Sequence, residues 1–165
     1  MVNAMYYINY FFIMSIFGHL MESLLSTSND SGILFSYWTP IYGIGTIIIL
    51  LLNKNIAEIH TKNSTKLISL FFCSTITLSI IEATGGYLLK FIFNKELWNY
   101  SNQIFNIGKY ASLGMALLWG IASLFLIYII KPFIDKIVIK IPKIITYIFI
   151  LLFILDLILT LTTKT

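Results

Sequence analysis

Residues 66–91 read KLISLFFCSTITLSIIEATGGYLLKF, and this stretch decides the fold. Between Lys66 and Lys90 its only charged residue is Glu82. A helix rising ~1.5 Å per residue needs about 20 residues to cross the ~30 Å hydrocarbon core, and this run is long enough. A carboxyl in such a run is costly unless it faces protein or a wet cavity. The stretch therefore reads as a transmembrane helix with one inward-facing acid.

Outward from it, four more runs reach spanning length. The five predicted spans are 4–25, 33–52, 66–91, 111–130 and 144–161. The composition agrees: 58% of residues are hydrophobic and 11% are charged, against about 25% charged in a soluble domain. Backbone groups in lipid must be satisfied internally, and the alternating pattern of a membrane barrel is absent, so the class is all-α. The expectation is a single polytopic membrane domain of five transmembrane helices over residues 1–165. The first run has no basic leader and no small-x-small cleavage site, so it reads as a retained helix.

All eleven basic residues are lysine, and they gather at the ends of apolar runs. That pattern suits headgroup anchoring and excludes arginine readout of nucleic acid. Cys73 stands alone, so no intrachain disulfide can form. With five spans, seven lysines (54, 62, 66, 131, 136, 140, 143) share the N-terminal side and four (90, 95, 109, 164) the other. The balance places the N-terminus in the cytoplasm and the C-terminus outside. Around residues 133–141, Lys136, Lys140 and Lys143 fall on one helical face and Phe133, Ile134, Ile137 and Ile141 on the other. Bracketed by Pro132 and Pro142, residues 133–141 read as a short interfacial helix.

Polar stripes recur at helical spacing. Ser15, Gly18, His19, Glu22 and Ser26 share one face of the first span; Thr75, Ser79, Glu82, Ala83 and Gly86 share one face of the third. Ser112, Ala116 and Gly120 form a small-residue ridge in the fourth, and Asp156 and Thr160 pair in the fifth. Small residues at this spacing are usually packing devices. The embedded acids Glu22, Glu82 and Asp156 lie toward one side of the membrane, and each must find a proton or a cation. Lys109, at the mouth of the fourth span, is the expected partner of Glu82 or Glu22. His19 is within reach of Glu22 and reads more readily as hydrogen-bonded scaffold than as a proton relay.

Pro40, with Gly43 and Gly45 after it, either breaks the second span or occupies its first helical position. Trp98 to Lys109 is a loop of amides and aromatics that could cap a polar ligand or sit at the headgroups. No phosphate-binding loop, H-E-x-x-H or G-x-S-x-G motif occurs, so neither ATP hydrolysis nor a known nucleophile is encoded, and no cofactor or metal is implied. The N-x-[ST] tripeptides at Asn29, Asn63 and Asn99 are expected by chance in an Asn-rich chain.

Gly18-His19-Leu20-Met21-Glu22-Ser23, Pro40-Ile41-Tyr42-Gly43-Ile44-Gly45, Glu82-Ala83-Thr84-Gly85-Gly86-Tyr87, Trp98-Asn99-Tyr100-Ser101, Phe105-Asn106-Ile107-Gly108-Lys109 and Trp119-Gly120 follow one another in the chain. Together they resemble the bacterial membrane family described as "Putative ABC-transporter type IV". The family usually has Trp at His19, Arg at Ser31 and Asp at Asn99. The resemblance implies a transport component that would need an ATPase in trans. The expected site is a polar pocket toward the external half. Glu22 and Glu82 form its charged floor, Tyr42, Trp98, Tyr100 and Asn106 shape it, and Lys109 balances charge. Gly18, Pro40, Gly43, Gly85, Gly86 and Gly120 carry the backbone geometry. The solute would be small and polar or cationic. A membrane-embedded enzyme on a lipid-linked substrate and a non-catalytic scaffold or sensor subunit stay open as alternatives. The expected partners are the lipid bilayer, the ATPase subunit and a second copy of the chain.

Overall fold

A computed structural model of the chain describes residues 4–25 and 32–164. Ser26, Asn29 and Ser31 lie outside the described residues. Among those described there are five helices and no strand: α1 (Ala4–Leu25), α2 (Pro40–Glu58), α3 (Asn63–Phe93), α4 (Leu113–Val138) and α5 (Lys143–Lys164). Four of them, α2 through α5, are long and apolar enough to cross a membrane. Helix α1 fills the first predicted range. It carries three tyrosines, Asn9, His19 and Glu22, and it is not among the four.

Two boundaries differ from the sequence expectation for a physical reason. Helix α2 begins at Pro40, not near residue 33. Proline fits the first helical position, where its missing N–H costs nothing, and it biases the preceding residue away from helix. Pro40 therefore starts α2 and does not break it. Helix α4 runs on through Pro132 as far as Val138, by way of a π turn at Leu126–Ile130. There the Lys131 N–H bonds to the Leu126 carbonyl, five residues back. The wider turn relieves the clash a proline ring makes with the carbonyl four residues before it. Residues 133–138 are thus continuous with α4.

The chain falls into two compact units, Met1–Ile44 with Ile134–Thr165, and Gly45–Phe133. In the first unit α1 packs on α5. Phe11 and Phe12 meet Phe153, and Phe12 also stacks on Phe149 and packs against Trp38. The start of α2 lies hard against α1. Gly43 faces Phe11 and Ser15, Gly18 faces the Tyr42 ring, and the Thr39 N–H bonds to the Ser15 carbonyl at 3.0 Å. A side chain at either glycine would collide with those neighbours.

In the second unit α3 and α4 pack along each other. The buried face of α3 is Leu70, Ser74, Leu78, Glu82 and Gly86, one residue per turn. This line is rotated from the predicted stripe, with Thr75 and Ser79 at its edge. On α4 the predicted ridge is the contact surface: Ser112, Ala116 and Gly120 are all buried. Gly120 brings the α4 backbone against Thr75 and Phe71.

Candidate functional site

Glu82 is 4% exposed, on the face of α3 that meets α4. The Tyr100 hydroxyl, from the α3–α4 loop, donates to its Oε1 at 2.9 Å. Trp119, on α4, lies beside the carboxyl as a second donor. Oε2 is buried with no hydrogen-bond partner among the described residues. The indole nitrogen of Trp98 is also buried without a partner among the described residues. A buried carboxylate oxygen left open is unusual, since such groups are nearly always paired.

The loop that supplies Tyr100 is built to hold its shape. The Tyr100 N–H bonds to the Lys109 carbonyl at 2.8 Å, and the Ile107 N–H to the Ala111 carbonyl at 2.8 Å. Asn106 Nδ2 donates to the Ser101 carbonyl at 2.9 Å, and Asn106 bridges to Ser112. Ser112 Oγ donates to Gln103 Oε1 at 2.6 Å and caps α4 by accepting the Met115 N–H. Tyr110 closes on Gly86, one turn beyond Glu82. Asn106 is exposed and braces the loop.

Lys109 does not take the partner expected of it. Its ammonium lies 2.7 Å from Glu96 Oε1, which Lys90 also approaches at 3.5 Å. The hydrogen bond from Lys109 holds the Glu96 carboxyl below its ordinary range, and the same bond raises the Lys109 ammonium. An exposed pair within one loop keeps both charges solvated, whereas Lys109 at Glu82 would need a lysine stripped of water. Glu96 was missed as a partner because it lies outside the apolar runs.

Glu22 and Tyr42 belong to the first unit, and Glu82, Trp98, Tyr100, Asn106 and Lys109 to the second. Glu22 is half-buried. Thr39 Oγ1 donates to its Oε2 at 3.3 Å, and Tyr42 hydrogen-bonds to the same carboxyl.

Asp156 is fully occupied. Its carboxylate accepts the backbone N–H groups of Phe35 at 3.0 Å and Ser36 at 2.9 Å, the Trp38 indole at 2.8 Å and Thr160 Oγ1 at 3.3 Å. Lys164, also on α5, donates to the Ile33 carbonyl at 2.7 Å and sits over the Phe35 ring. Residues 33–38 are thereby fastened to α5, and Asp156 is an anchor.

A further acid escaped the sequence reading. Tyr6 and Tyr10 both donate to Asp135 Oδ1 at 2.7 Å. Beside them Thr146 donates to Asn9 Oδ1 at 2.7 Å, and Asn9 Nδ2 to the Val138 carbonyl at 3.5 Å. The four-residue step from Tyr6 to Tyr10 was the available signal, because it puts both hydroxyls on one face. Away from these groups, a cavity of about 650 Å³ opens at the α2–α3 turn between Ala57 and Lys66. Lys66 there is tied to the Ala57 carbonyl, and the hollow is open to the surface.

No curated protein and no solved structure matches the chain. A family model does, over residues 9–161, which is nearly the whole chain. Its description is "Putative ABC-transporter type IV", in keeping with the motifs around Glu82, Trp98 and Lys109 and with four helices apolar enough to span a bilayer. The chain is a multi-pass membrane protein that belongs to the Putative ABC-transporter type IV family.

Proposed function

We propose that the protein is the membrane component of a transport system and that Glu82 binds a small polar or cationic solute. The observation that carries this is the buried carboxyl of Glu82, held by Tyr100 and flanked by Trp119, with Oε2 left open. A carboxylate in that setting calls for a positive or hydrogen-bond-donating guest. Aromatic side chains suit an organic cation, whose charge is attracted to ring faces. In this reading Trp98 and Tyr100 cap the site, while Asn106 and Lys109 keep the capping loop in place. Glu22, with Tyr42 and Thr39, is a second acidic cluster belonging to the first unit. The reading also takes α1 as a fifth span, which leaves the N-terminus cytoplasmic and the C-terminus external. It assigns ATP hydrolysis to a separate subunit, because the chain has no phosphate-binding loop, and it leaves room for a second copy of the chain.

The test is binding and uptake of radiolabelled methylammonium and tetramethylammonium by the protein in lipid vesicles, with its neighbouring ATPase where one is encoded. Glu82→Gln keeps the shape and removes the charge. It should cut binding at least about tenfold, which corresponds to ~1.4 kcal/mol, while the melting temperature holds. Wild-type binding by Glu82→Gln would remove Glu82 from the site. Loss of folding in Glu82→Gln without any solute binding by the wild type would favour a scaffold role.

A further inference from the structure

We propose that the tip of the α3–α4 loop, Ile104, Phe105 and Ile107, is seated in the lipid bilayer at the boundary between headgroups and acyl chains. The three side chains are 82%, 73% and 64% exposed. They project from a loop whose backbone is internally bonded, including Leu113 N–H to the Phe105 carbonyl at 3.1 Å. The display is therefore built in. Phe105 has φ of 59°, a region that bulky side chains rarely occupy. Holding a phenylalanine there, turned outward beside two isoleucines, makes no sense for a surface meeting water.

The occupant follows from what adjoins the tip. The loop joins α3 and α4, both of spanning length and apolarity, so it emerges where those helices leave the membrane. Phe91 and Ile92 at the end of α3, and Leu113 and Leu117 at the start of α4, are exposed apolar residues. The lipid-facing surface thus continues up to the loop from both sides. Lys90, Lys95 and Lys109 occupy the same end; Lys90 and Lys109 flank Glu96, and three ammonium groups against one carboxylate leave this end net positive, as suits lipid phosphates. Apolar tip and basic collar together match the layered chemistry of a bilayer surface. A protein partner would not call for that order of layers. Tyr100 lies in the same loop, so the depth of the tip fixes the height of the hydroxyl that meets Glu82. The inference rests on α3 and α4 crossing the membrane and not on any role for Glu82.

The test is nitroxide accessibility. Spin labels are placed at Ile104→Cys, Phe105→Cys and Ile107→Cys, one at a time, on a Cys73→Ser background. The protein is in vesicles of three parts phosphatidylcholine to one of phosphatidylglycerol. Each label should be several-fold more accessible to oxygen than to an aqueous nickel chelate, with His60→Cys as the water-exposed control. Chelate accessibility equal to that control would overturn the proposal. Exclusion of both reagents would also overturn it, because it would place the tip under a protein partner or a second copy. Ile104 and Ile107 keep the test decisive if a substitution at Phe105 disturbs its unusual backbone.

Discussion

Asp156 and Glu82 are both carboxyls buried in apolar helices, and their surroundings set them apart. Asp156 accepts four hydrogen bonds, two of them from consecutive backbone N–H groups. Glu82 is held by Tyr100 with Trp119 beside it, and its Oε2 has no partner among the described residues. The sequence located both acids and could not rank them, because three of the four donors to Asp156 lie 118 to 121 residues away. Periodicity speaks for one helix at a time and says nothing of a loop docking from the far end of the chain. Asp156→Ala should strip those donors of their acceptor and destabilise the protein by roughly 2–4 kcal/mol, read as the melting temperature in detergent. Asp156→Asn, which keeps one acceptor oxygen, should cost less. Equal stability of Asp156→Ala and wild type would show that residues 33–38 are held by something else.

Helices and loops carry the next level of organisation. The α3–α4 seam depends on Gly120, where an added methyl would meet Thr75 and Phe71. Gly120→Val should therefore cost about 1–3 kcal/mol through overpacking. Gly114, also on α4, has open space at that position, and Gly114→Ala should be neutral or stabilising by up to ~1 kcal/mol. Thermal melts of the two variants side by side check the contrast. The ridge of Ser112, Ala116 and Gly120 was legible because helix geometry fixes which residues share a face. The end of α4 was not, since Pro132 reads as a breaker until the π turn before it is seen. The α3–α4 loop adds a pH dependence. The folded-state pKa of Glu96 lies below its ordinary 4.5, so its contribution is in place above 4.5 and is lost as pH falls through the lowered value. Lys109 is raised above its ordinary 10.5, so its contribution is in place below 10.5 and is lost as pH climbs through the raised value. Mobility of a spin label at Asn102→Cys, on a Cys73→Ser background, should stay flat between those limits and rise in acid. Glu96→Gln should abolish the acid step.

At the scale of the molecule, composition and run lengths made the membrane class and four of the helices plain. Helix α1 matches its predicted range, and its Tyr6, Tyr10 and Asn9 serve Asp135 and Thr146. On the five-span reading, Lys164→Cys in a Cys73→Ser background should react with an impermeant maleimide applied to intact cells, and Lys140→Cys should react only after lysis. Labelling in the reverse pattern, or of both from outside, would contradict that topology. The chain offered Glu82, Trp98, Tyr100 and Lys109 as candidates; of these, Tyr100 meets Glu82 and Lys109 pairs with Glu96 instead. In the chain Trp119 is half of a Trp-Gly motif, and the pairing of Lys109 with Glu96 is hidden, since pairing across a loop is a choice made by solvation and distance. The most direct measurement is solute-induced infrared difference spectroscopy of the protein in lipid, with methylammonium as the solute. A carboxyl band that shifts on addition of methylammonium and disappears in Glu82→Gln is the expected result. An unchanged carboxyl region, or the same band surviving in Glu82→Gln, would contradict Glu82 as the binding group.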